Sequence, residues 1–93
     1  MNQLLNQKAM RTVYKYQLDL GTVTIELPEN AEIITVGKDP HGKYSLWAIV
    51  NTEAVKVKKN FKILGTGYEV PNNAWYIDSF MDGAFVWHVF ELV

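Results

Sequence analysis

Apolar and polar side chains alternate with a period of two through most of this chain, which predicts strands and not helices. Over residues 12–18, Tyr14, Tyr16 and Leu18 share one face while Val13, Lys15 and Gln17 share the other. Residues 22–27 set Val23, Ile25 and Leu27 against Thr22, Thr24 and Glu26. Asp19-Leu20-Gly21 between these runs reads as a hairpin turn, and Pro28 ends the second run because it has no N–H for the ladder. A third strand is expected at 32–38. It is followed by Asp39-Pro40-His41-Gly42, with Asp, Pro and Gly where a type I turn wants them. Residues 44–51 are apolar on both faces through Leu46-Trp47-Ala48-Ile49-Val50, the pattern of a central strand covered on both sides. Asn51-Thr52-Glu53-Ala54 is a link with room for one short helical turn.

Residues 55–64 resume the alternation through Val55, Val57, Phe61 and Ile63, with a bulge expected at Lys59-Asn60. Gly65-Thr66-Gly67 closes that strand, and a loop with Pro71 leads to strands at 75–80 and 84–92 around Met81-Asp82-Gly83. Asp-Gly between apolar runs is a strong hairpin signal. About seven strands in eighty residues predict an all-β fold, a small antiparallel sandwich or partly open barrel. Residues 1–11, rich in Gln and Asn at their start, read as a flexible N-terminal extension, and 12–93 as a single β domain. Met10 is an alternative start to Met1.

Composition narrows the function classes. At 93 residues with 48% hydrophobic and 13% aromatic side chains, the chain folds but cannot hide every large side chain in one core. Some apolar surface is left for a partner or a second copy. Nine basic residues against ten acidic ones give no general pull towards nucleic acid or an anionic membrane. Without cysteine there is no disulfide, no Cys-based zinc site and no Cys nucleophile, and a reducing cytoplasm is the expected home. No apolar run is long enough to span a bilayer, and the first residues lack the basic and apolar regions of a signal peptide.

Catalytic signatures are sparse. Ser45 and Ser79 are the only serines, and neither stands in a Gly-flanked elbow. His41 falls in a turn and His88 in a strand apolar on both sides, so a solvated loop residue and a hydrogen-bonded core or edge residue account for them. Asp78 with Asp82, and Glu29 with Glu32, are explained by turns and solubility. No metal set assembles from these groups without borrowed carboxylates. We therefore expect no enzyme, no cofactor and no metal.

The richest segment is Lys56-Val57-Lys58-Lys59-Asn60-Phe61-Lys62, which holds four of the nine basic residues. On a strand Lys56 and Lys58 share a face, and Lys62 rejoins them depending on the bulge. Thr66 and the flanking glycines can turn a hydroxyl and backbone N–H groups towards an anion, and Tyr68 can stack on a base. The same lysines also suit an edge strand guarded against aggregation. Trp47 and Trp87 are expected mostly in the core. Trp75 and Tyr76 are neighbours that point to opposite faces, so one of them is a surface anchor. The candidate binding surface is Lys56, Lys58, Lys59, Lys62, Thr66, Tyr68, Trp75 and Tyr76.

Tyr14-Lys15-Tyr16, Val23-Thr24-Ile25-Glu26-Leu27-Pro28, Leu46-Trp47-Ala48, Phe61-Lys62-Ile63-Leu64-Gly65-Thr66-Gly67 and Phe85-Val86-Trp87-His88-Val89-Phe90-Glu91 stand in a characteristic order. Over residues 12–92 this pattern resembles the short uncharacterised proteins of phages, prophages and plasmids. The resemblance brings no activity and no residue role. It implies a setting, in which small phage proteins bind and disable a host component. The expectation is a non-enzymatic, homo-oligomeric binding protein, resembling an anti-CRISPR inhibitor, that blocks a host protein complex such as a nuclease or sequesters an anionic nucleotide signal. A virion or morphogenesis accessory is the alternative. A small hydrolase using His41 or His88 with an Asp is a further one.

Overall fold

The structure, a computed structural model, describes residues 10–93. The expected extension falls mostly outside that range, and Arg11, at its inner end, already opens the first strand. Seven strands follow: β1 (Arg11–Gln17), β2 (Gly21–Pro28), β3 (Glu32–Lys38), β4 (Tyr44–Asn51), β5 (Lys56–Gly65), β6 (Ala74–Asp82) and β7 (Phe85–Leu92). They form two antiparallel sheets, one ordered β1-β4-β3 and the other β2-β5-β7-β6. The all-β reading holds, and the sheets do not close into a barrel. Among the described residues there is no helix, hence none long and apolar enough to cross a membrane.

The inner faces of the sheets meet in one core. Leu46, Ala48 and Val50 of β4 with Val36 of β3 face Ile25 and Leu27 of β2, Phe61 and Ile63 of β5, and Val89 of β7. Each alternates with a residue on the opposite face of its strand, which is how the period-two pattern becomes a buried layer.

Asp19-Leu20-Gly21 is not a hairpin. β1 pairs with β4 and β2 with β5, so this turn carries the chain from one sheet to the other. Leu18, only 2% exposed, anchors the corner, and its N–H donates to the Tyr44 carbonyl at 2.8 Å. Alternation defines the faces of two strands but not whether they are neighbours. The Asn51–Ala54 link is a tight turn and not a helical one. The Asn51 side chain accepts the Glu53 N–H at 2.9 Å, and the Asn51 carbonyl accepts the Ala54 N–H at 3.1 Å.

β4 is central to its sheet, as its apolar run requires, but only one of its faces is covered. Trp47 and Ile49 lie on the outer face beside Val13, only half-buried, so Trp47 is not a core residue. The expected bulge at Lys59-Asn60 is also absent, because β5 keeps register with β2 from Lys56 to Ile63. Bulges fall instead between Ile33 and Thr35 in β3 and between Tyr76 and Asp78 in β6.

Three contacts tie the ends of the sheets. Asp82, at the end of β6, accepts from Lys38 Nζ at 3.0 Å and from the Tyr44 hydroxyl at 2.6 Å. These bonds hold the Asp82 carboxyl below the usual carboxylate range, the tyrosine contact contributing most. The Tyr44 ring meets the edge of Phe80 at a centroid distance of 5.1 Å.

Candidate functional site

β5 is not an edge strand. β2 flanks it along one side and β7 along the other from Asn60 to Gly65; only Lys56 to Lys59 lie beyond the end of β7. Guarding an edge is therefore not the role of Lys62. Without a bulge, Lys56, Lys58, Asn60 and Lys62 all point to the outer face of the four-stranded sheet, away from the core. Lys59 points the other way, half-buried, with its Nζ 3.7 Å from the Glu91 carboxylate. It does not belong to the cationic face.

Cross-strand register sets what surrounds these lysines. Thr22, Lys62, Phe90 and Tyr76 stand directly opposite one another across β2, β5, β7 and β6. Lys62 Nζ donates to Thr22 Oγ1 at 3.4 Å, and Tyr76 meets Phe90 edge to face at 5.7 Å. Strand spacing puts Lys62 and the Tyr76 ring about 10 Å apart. The β6 bulge is responsible for this row. In a regular strand Tyr76 and Ser79 would lie on opposite faces; the extra residue, Ile77, brings them to the same one. Trp75 and Tyr76 are both exposed, where one surface residue was expected, and they stand on opposite faces. Tyr76, 61% exposed, joins the lysine face, whereas Trp75, 67% exposed, lies on the core side opposite Glu91.

One row along, hydroxyls bracket an imidazole. Ser79 Oγ is 2.7 Å from His88 Nδ1, Thr66 Oγ1 is 2.9 Å from His88 Nε2, and Tyr76 Oη is 2.8 Å from Ser79 Oγ. His88 therefore contacts no Asp, and Asp78 instead accepts the Ser79 backbone N–H at 2.8 Å. His41 is exposed in its turn, with its backbone N–H on Asp39. The histidine–aspartate pair a small hydrolase would need does not form. Thr66 contacts His88 in the same row, and the Tyr68 N–H is taken by the Gly65 carbonyl at 3.1 Å. No group of three or more metal-ligating side chains gathers among the described residues.

Tyr68 is 60% exposed, with one side of its ring against Gly65, where an added Cβ would sit only 3.0 Å from it. It walls a cleft of about 400 Å³ with Leu20, Leu64, Glu69 and Trp87, and Lys62 stands at its rim. A larger groove of about 560 Å³ opens at the other end of the molecule, beside Arg11, Glu29 and Glu32, and takes in none of the predicted residues. The structure thus brings Lys56, Lys58, Lys62 and Tyr76 together on one face, with Thr66 and Tyr68 at its end, and leaves Lys59 and Trp75 behind.

Phe90, His88, Ser79 and Thr22 complete the surface and were not singled out as binding residues from sequence. A two-residue loop at Gly83-Ala84 does place Ser79 opposite His88, a pairing readable from the hairpin. Thr22 and Phe90 required the sheet order. The family defined as a domain of unknown function, DUF7352, matches residues 10–93. No curated protein and no solved structure matches the chain.

Proposed function

This chain belongs to the DUF7352 family, and we propose that it is a non-catalytic binding protein whose four-stranded sheet receives a nucleotide on its outer face. The row Thr22–Lys62–Phe90–Tyr76 carries this reading. It sets the Lys62 ammonium about 10 Å from the Tyr76 ring, with Phe90 between them and Thr22 on the far side, the span between a phosphate and a base. Lys58 and Lys56 extend the positive charge along β5, and Glu26 is the one carboxylate in the β2 part of that face. Stacking on Tyr76 tolerates any base, so the surface selects for nucleotides as a class. In the phage setting that the sequence resemblance implies, such binding serves to sequester a nucleotide signal of host defence.

The test is titration of the protein with ATP and with fluorescein-labelled oligothymidylate, read by calorimetry and fluorescence anisotropy. Saturable binding is expected, abolished by Lys62→Glu and weakened about ten-fold by Tyr76→Ala, the scale of one lost stacking contact. If the wild-type protein binds neither probe at millimolar concentration, the reading is wrong.

A second reading has its own observation. Met81, Phe85 and Val86 surround the β6–β7 turn at 76%, 62% and 36% exposure, an apolar tip suited to a protein target. Pull-down from host lysate that is lost in a Phe85→Ser variant would favour occlusion of a macromolecule over nucleotide sequestration.

A further inference from the structure

We propose that β2 is a docking edge for the β2 of a second copy, joining the two four-stranded sheets into one eight-stranded sheet across a two-fold axis at Thr24. This inference does not depend on the nucleotide reading, because it rests on backbone and register alone.

The unpaired side of β2 is definable atom by atom. The Glu29 N–H donates to the Val55 carbonyl at 2.8 Å, on the β5 side. Backbone groups alternate along a strand, so those of Thr22, Thr24 and Glu26 point away from β5. No other described residue takes them up.

β2 also lacks what usually blunts an edge. β3 and β6, which end their sheets on one side of the sandwich, both carry bulges and lie close to each other. β1 displays Arg11 and Lys15. β2 has no bulge and no lysine, and its proline is its last residue.

What fits this edge is β2 itself. Antiparallel pairing centred on Thr24 sets Thr24 opposite Thr24 of the second copy and Thr22 opposite Glu26. All three residues with outward backbone groups then pair, giving six main-chain hydrogen bonds. Side chains agree with that register. Glu26 forms no ion pair among the described residues, and pairing brings it beside Thr22 of the second copy, to which that copy's Lys62 already reaches. On the inner face, half-buried Val23 meets Ile25. Centring the axis on Glu26 instead would oppose two carboxylates, so the charge selects the register.

The chain has no cysteine, which makes the axis directly testable. In the Thr24→Cys variant the two thiols lie on opposed residues about 5.5 Å apart at Cα, within disulfide range. In Thr22→Cys they are about four residues apart along the strands and beyond it. Mild oxidation is expected to cross-link Thr24→Cys quantitatively and to leave Thr22→Cys largely uncross-linked. The wild-type protein should sediment at twice its 10.7 kDa chain mass. Thr24→Pro, which removes the outward N–H together with the exposed Thr24 Oγ1 hydrogen bond to Asn60 Oδ1, should sediment as a monomer with an unchanged circular dichroism spectrum. A wild-type monomer at 100 µM, or equal cross-linking from both cysteine positions, would overturn the proposal. If Thr24→Pro fails to fold, the cysteine pair decides alone.

Discussion

Asp39 shows how much one side chain organises. Its Oδ1 accepts the backbone N–H groups of His41 and Lys43, both at 2.8 Å, and its Oδ2 lies 2.7 Å from Lys15 Nζ. The lysine contact, then the Lys43 N–H, lowers its pKa from 3.8 to about 2. Because the folded value lies below the unfolded one, the stabilisation is complete above about pH 4 and is lost as pH falls towards 2. Asp39→Asn should therefore melt several degrees lower at neutral pH and lose less stability than wild type between pH 4 and 2. Melting curves across that range check this, and parallel acid limbs for the two proteins would refute it. The turn itself was legible from Asp39-Pro40-His41-Gly42, because turn chemistry is local. Lys15 was not, since its approach depends on β1 lying against β4.

Among elements, the β6–β7 hairpin repays the closest reading. Its loop is Gly83-Ala84, with Asp82 opposite Phe85 as the last strand pair. Gly83 has φ of 59°, and Ala84 does not share the left-handed region, which fits a type II′ turn with glycine first. The Asp-Gly signal thus found the hairpin, although Asp82 belongs to the strand and not to the loop. Gly83→Ala should cost about 1 kcal/mol and lower the melting temperature by about 4–8 °C. A melting curve coincident with wild type would mean that the turn has another geometry. All seven strands were legible within two residues at their ends, because the period survives any choice of partner. The misplaced bulge has a physical source. Lys59 interrupts the apolar series because the core runs out there and Glu91 takes its place, not because the strand slips.

For the whole molecule, Phe61 is the keystone. It is fully buried between the sheets, among Leu46, Ile25 and Val89. Phe61→Ala should cost about 3–5 kcal/mol, comparable with the entire margin of a domain this small. Far-ultraviolet circular dichroism at 37 °C should show that variant largely unfolded; a native spectrum with an unchanged melting point would contradict the sandwich core. The candidate site was half legible at this scale. Alternation alone grouped Lys56 with Lys58, but Thr22, Phe90 and His88 reached them only through a sheet order that no local pattern encodes.

The sheet order also has a consequence in time. The chain changes sheet between β1 and β2, between β2 and β3, and again between β4 and β5. When the ribosome has released residue 51, the three-stranded sheet has all its strands, while β2 has none of its neighbours. Its partner β5 is still to come, and β5 in turn needs β7, the last of these seven strands to emerge. The nascent protein therefore carries a complete but half-naked sheet and one orphan strand until β5 and β7 emerge. Non-local pairing of this kind folds on the millisecond-to-second scale and not in microseconds.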